Sequence, residues 1–154
     1  QNLVGPGKIL MLELNTAPSD GKVLPAGTFN VLNPMEITAA ASLTPFTVVP
    51  GLSAEDGSIY GTWYLATDTQ GGDFQPLCGA QKGTVSVKKT GDTYTIDFDI
   101  TDDDFKISVK GSYTGKPYIH DGTADTTSVS TRTTAASGKA LNIHKSARRQ
   151  AFRK

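Results

Sequence analysis

The chain has 154 residues, which by length is one domain with room for a buried core. Hydrophobic residues make up 37% and mean hydropathy is −0.26, and no run approaches the roughly 18 apolar residues of a helical membrane span. The net charge of zero conceals a division: residues 139–154 carry six of the fifteen Lys and Arg and no acid, leaving nine bases against fifteen acids in residues 1–138.

An acidic body with a basic tail raises nucleic-acid binding as a reading. The body has no basic stripe interleaved with aromatics, so the tail is expected to be a solvated end, with no nucleic-acid partner. Cys78 is the only cysteine. That excludes an internal disulfide and a cysteine-based metal site, and a lone Cys is expected to be a buried, inert thiol. The chain begins QNLVGPGK, without Met or a charged leader, so a mature or excised form is expected.

Lys8–Thr16 reads as the first strand: Leu10, Leu12 and Leu14 point one way, Ile9 and Met11 the other, so both faces are covered at one end. Ala17–Gly21 is a turn. In Leu24–Leu32, Pro25 ends a ladder and Gly27 permits a bulge before an extended run from Thr28. Asn33-Pro34 marks another turn, and residues 35–44 suit either a helical turn or a strand. Phe46–Val49 is a short strand stopped by Pro50-Gly51.

Ser58–Asp68 is the aromatic strand. Ile59, Gly61, Trp63 and Leu65 share one face; Tyr60, Thr62, Tyr64 and Ala66 share the other. Trp63 belongs in the core. Tyr60, Trp63 and Tyr64 are the candidate ligand-binding residues, because aromatics on a sheet stack on sugars or hold an apolar ligand. Gln70–Asp73 is a Gly-rich loop.

Gly83–Gly115 alternates apolar and polar residues, and two turn signals divide it into three strands. Gly91 at the first central position suits a two-residue type II′ hairpin, pairing Lys88 with Thr95, Val87 with Ile96 and Val85 with Phe98. Taking Asp102–Phe105 as the second loop pairs Ile100 with Ile107, Phe98 with Val109, Ile96 with Gly111 and Tyr94 with Tyr113. Both registers place Val85, Val87, Tyr94, Ile96, Phe98, Ile100, Ile107, Val109 and Tyr113 on one face. On the other, Asp97 faces Lys110 and Asp99 faces Ser108.

Residues 1–120 are therefore expected to form a single β domain. Residues 121–139 are a Thr/Ser-rich linker or, at Thr126–Thr134, an edge strand. Residues 140–154 are a basic C-terminal tail with a thin apolar face for a short helix.

The chemical candidates are few. Asp97 and Asp99 share a face but sit two apart on one strand among Lys and Ser, as on a solvated surface. Asp102, Asp103 and Asp104 are the first place to look for a metal. They lack calcium-loop spacing and a closing Glu, so none is expected. His120 beside Asp121 is half a triad without a nucleophile elbow, and His144 lies in the tail. No catalytic residue and no cofactor is assigned. A hydrolase using Asp97/Asp99 or Asp121 is the third-ranked reading.

The stretches KILMLELNTAPSDGKVLPAGTFNV, GSIYGTWY and GTVSVKKTGDTYTIDFDITDDDFKISVKGSYTG together resemble a module of secreted or surface-lipoprotein proteins of Bacteroidetes. The pattern is an L-P-A-G-T-[YF] turn, a G-S-x-x-x-x-[WY] strand and a closing meander, and it covers residues 8–117. The resemblance implies export to the periplasm or cell surface, often in tandem units, and assigns no catalytic residue. The fold expected is all-β, an antiparallel β-sandwich of about eight strands with meander hairpins. A flattened lipocalin-like β-barrel also suits the meander, but the apolar side chains suffice for a closed core rather than a large pocket. The function expected is a non-catalytic exported module that binds a glycan or a surface protein partner, or that serves structurally. The alternative is a barrel binding a small apolar ligand.

Overall fold

The computed structural model describes residues 6–17, 20, 23–37, 43–67, 77–120 and 141–142. The Gly-rich loop at Gln70–Asp73, the edge strand expected at Thr126–Thr134 and most of the basic tail lie outside the described residues.

The fold is all-β and does not close into a barrel. In chain order the strands are β1 (Gly7–Met11), β2 (Leu14–Asn15), β3 (Gly27–Val31), β4 (Thr47–Val48), β5 (Leu52–Ser53), β6 (Ser58–Tyr60), β7 (Trp63–Thr67), β8 (Leu77–Gly79), β9 (Lys82–Thr90), β10 (Thr93–Asp102), β11 (Ile107–Gly115) and β12 (Leu141–Asn142). One turn of 3-10 helix at Pro34–Glu36 follows Asn33, whose side-chain oxygen accepts from the Met35 N–H at 3.1 Å. The strands outnumber the eight expected because two predicted strands each split between sheets, and because short strands form at Leu52–Ser53, Leu77–Gly79 and Leu141–Asn142, where none was expected.

A six-stranded sheet runs β11-β10-β9-β3-β4-β2, and two three-stranded sheets run β1-β7-β8 and β12-β6-β5. Every pairing is antiparallel except β3 with β4. The sheet β1-β7-β8 lies across the six-stranded one. Leu10, Tyr64 and Cys78 are aligned across its inner face and pack on the main core. That core contains Phe29, Val48, Val85, Val87, Ile96 and Ile100, all 4% exposed or less. Burying a side chain of this kind contributes roughly 1.5–3 kcal/mol. On the other face of the small sheet, Ile9–Leu65–Leu77 forms one rung and Met11–Trp63–Gly79 the next, and Ile59 of β6 joins them in a second cluster.

The expected Lys8–Thr16 strand keeps its predicted faces but changes sheets: β1 pairs with β7 and β2 with β4. The break falls at Leu12–Glu13. There the Glu13 N–H donates to Thr62 Oγ1 at 3.0 Å, and the Glu13 carbonyl accepts from Val49 at 2.8 Å. Thr62 is fully buried and central to this junction. Its N–H donates to Val49 O at 3.1 Å and its carbonyl accepts from Ala80 at 3.0 Å.

The first hairpin has the predicted register, with Lys88 opposite Thr95 and Val85 opposite Phe98. Gly91 sits at φ +58°, and Asp92 is not among the residues of positive φ, as a type II′ turn requires. The second hairpin is displaced by two residues from the expected pairing. Asp102 pairs with Ile107, Ile100 with Val109, Phe98 with Gly111 and Ile96 with Tyr113. Asp102 ends β10 instead of opening the loop, and Lys106, at φ +57°, closes it. A shift of two preserves the faces, so the predicted core row is still the core row. Gly111 consequently lies under the Phe98 ring, where a Cβ would come within 2.6 Å of it. The same device recurs: a ring covers a strand glycine at Gly27 (Phe46), Gly79 (Trp63) and Gly115 (Tyr113).

Leu141–Asn142 pairs with Ile59 and Ser58. The short helix expected over 140–154 therefore does not include these two residues, which are strand.

Candidate functional site

The aromatic strand is the first place to look. Gly61 takes φ +77° and breaks Ser58–Asp68 in two. β6 belongs to one sheet and β7 to another. The expected shared face of Tyr60, Thr62, Tyr64 and Ala66 therefore does not form. Trp63 is 3% exposed in the second cluster, and its indole N–H donates to the Tyr60 carbonyl at 2.8 Å. Tyr64 points into the main core with its ring 6.2 Å from that of Phe98, joining the two layers. Tyr60 is half-buried on β6. The three residues thus sit in three different settings.

The acidic turn is bound up in the fold. The Asp102 side chain is buried, and its Oδ2 accepts from the Gly79 N–H at 2.9 Å. Its Oδ1 accepts from Asp104 and Phe105 N–H, both at 3.0 Å. One carboxylate therefore holds the four-residue loop and ties it to β8 of the other layer. Asp103 pairs with Lys82 at 2.5 Å and Asp104 accepts from Gln81 Nε2 at 2.6 Å. The three carboxylates diverge to separate partners, and no group of three His, Cys, Asp or Glu is placed to hold a metal among the described residues.

Cys78 is buried beside this carboxylate, its Sγ 3.8 Å from the Ile107 carbonyl. Burial, reinforced by the negative charge of Asp102, pushes the thiol up to about 11. It is the protonated, unreactive form at neutral pH.

Asp97 and Asp99 stand on the solvent face of the six-stranded sheet. The shifted register puts Lys110 opposite Asp99 at 3.0 Å, rather than opposite Asp97 as expected, and Asp97 pairs with Lys88 at 3.9 Å. Both carboxylates are about half exposed and compensated by lysine, so neither is set up as a general base. His120 is exposed, whereas Asp121 and His144 lie outside the described residues.

Two exposed tyrosines lie elsewhere, along and after β11. Tyr113 is 40% exposed, Tyr118 86% and Ile119 40%. Tyr113 continues the core row beyond the reach of the covering sheet, with its ring over Gly115. β11 ends at Gly115, and Pro117, Tyr118 and Ile119 follow outside any strand. Alternation alone marks Tyr113 as a core residue. The signal for Tyr118 and Ile119 is a pair of large apolar residues lying just past a proline.

No protein-family model, no curated protein and no solved structure matches the chain.

Proposed function

We propose that the chain is a non-catalytic binding module of an exported bacterial surface protein, and that its ligand is a glycan. The observation that carries this reading is the exposure of Tyr113, Tyr118 and the neighbouring Ile119. Tyr presents a flat apolar ring and a hydroxyl, which together suit stacking on a sugar ring. Among the described residues, the carboxylates Asp102, Asp97 and Asp99 are engaged in contacts with Gly79, Lys88 and Lys110. The Tyr60–Tyr64 strand serves as scaffold in this reading. Export and a surface location rest on the resemblance of residues 8–117 to surface-lipoprotein modules.

The test is retention on immobilised polysaccharides or a glycan array, comparing the chain with Tyr118→Ala. Retention by the parent chain and a loss of about tenfold in the variant, equivalent to about 1.4 kcal/mol, is the expected result. No retention of any glycan, or a Tyr118→Ala variant that binds as well as the parent, overturns it.

A further inference from the structure

The longest regular sheet edge in the described structure belongs to β11. Its nine residues pair with β10 without a bulge, and no described strand lies on its other side. Typical strands have five or six residues, and edges are usually kept short, bulged or broken by proline.

The direction of its backbone groups follows from the first hairpin. A two-residue loop makes Thr90 and Thr93 a mutually hydrogen-bonded pair, and such pairs alternate along a ladder. Odd-numbered residues of β10 therefore bond towards β9, consistent with the Gln81 N–H donating to Thr101 O at 2.9 Å. Even-numbered residues of β10 bond to Ile107, Val109, Gly111, Tyr113 and Gly115. The N–H and C=O groups of Ser108, Lys110, Ser112 and Thr114 consequently point away from β10, along the edge.

The side chains say what would sit there. Ile107 and Val109 are half-exposed and Tyr113 is 40% exposed, so the apolar row of the sheet stops unfinished at this edge. Lys106, Lys110 and Lys116 accompany it, and residues 105–120 contain no acid. Among the described residues, Lys110 is the one of the three with a carboxylate in ion-pair range, Asp99 at 3.0 Å. A second copy paired antiparallel about Gly111 would set Lys106 against Lys116 at both ends, so charge disfavours self-pairing.

We propose that β11 receives an extended, acidic segment of a partner protein as an added strand, with alternate apolar residues completing the row Ile107–Val109–Tyr113 and carboxylates meeting Lys106 and Lys116. This goes beyond glycan binding and stands independently of it.

Hydrogen exchange measured by NMR on the whole chain tests it, using a synthetic octapeptide of alternating valine and aspartate, with a valine–lysine octapeptide as control. In the free chain the Ser108, Lys110, Ser112 and Thr114 amides exchange rapidly. The acidic peptide slows them at least tenfold and the basic one does not. Ser112→Pro removes an outward N–H without touching the β10 ladder and abolishes the protection. The proposal is overturned by any of three results: protection of these four amides in the free chain, no slowing by the acidic peptide, or equal binding by a folded Ser112→Pro variant.

Discussion

Replacing Asp102 by Ala removes the acceptor of three backbone N–H groups at once. The Gly79 N–H is enclosed between layers, and stranding a buried donor costs about 1–3 kcal/mol. The Asp104 and Phe105 donors lie nearer water, so losing each bond costs about 0.5–1 kcal/mol. The sum is about 2–5 kcal/mol, centred near 3.5, a large share of the roughly 5–15 kcal/mol that stabilises a typical domain. Asp102→Asn sharpens the argument. Its single carbonyl oxygen serves either Gly79 or the loop, and its NH2 then faces the donors that remain, so a loss of about 2 kcal/mol is expected. Urea unfolding reads both. At a slope of about 1.5 kcal/mol per M, the midpoint falls by about 2 M for Ala and somewhat over 1 M for Asn. An Asn variant within about 0.5 kcal/mol of the parent, with the Gly79 amide still slow to exchange, would refute the triple-acceptor account.

Gly61 and Gly91, two of the glycines at positive φ, respond differently to alanine. Gly61→Ala drives a Cβ into the Pro50 carbonyl and costs more than about 3 kcal/mol, whereas Gly91→Ala has open space and costs only about 1 kcal/mol for its φ, a contrast that thermal melts of the pair resolve. The Cys78 thiol is raised from 9.0 to about 11 in the folded chain, so the unfolded chain loses its proton first and stability declines as pH rises from about 9 to 11. The slope from this group is at most about 1.4 kcal/mol per pH unit. Cys78→Ala should remove that part of the pH dependence, and identical pH slopes in urea midpoints for the two proteins would contradict it. Lys110→Ala breaks only an exposed pair with Asp99 and shifts stability by less than about 0.5 kcal/mol, as a double-mutant cycle with Asp99→Ala would show.

Local chemistry made much of this fold legible. The Gly91 turn gave its own register because the φ demand of a type II′ turn acts on the residues inside it. Asp is a common turn residue by type, so local sequence places Asp102 in the second loop and sets a pairing two residues from the one observed. That Asp102 instead ends a strand depends on Gly79, a residue 23 positions away that no local pattern connects to it. The parity survived because side chains alternate with period two, so a shift of two moves neighbours without moving faces. In KILMLELNT the two faces were readable from Leu and Ile spacing. The change of sheet at Glu13 was not, since its bonds go to Val49 and Thr62. Gly61 is visible as a glycine in a strand, but the alternation of Ile59, Trp63 and Leu65 continues across it and hides the break. The exposure of Tyr118 is illegible for the opposite reason: it belongs to no periodic run.

The change of sheet at Leu12–Glu13 also has a mechanical meaning. β1 lies antiparallel to β7 in one layer, and β2, two residues further on, lies antiparallel to β4 in the other. Tension along this part of the chain is carried in shear by both ladders, so several hydrogen bonds must fail together before the chain can slide. The Glu13–Thr62 and Val49–Glu13 bonds act as a clamp where the load passes between layers. Peeling one sheet away while the other stays intact is thereby disfavoured, and forced extension of this module should yield in one abrupt event rather than strand by strand.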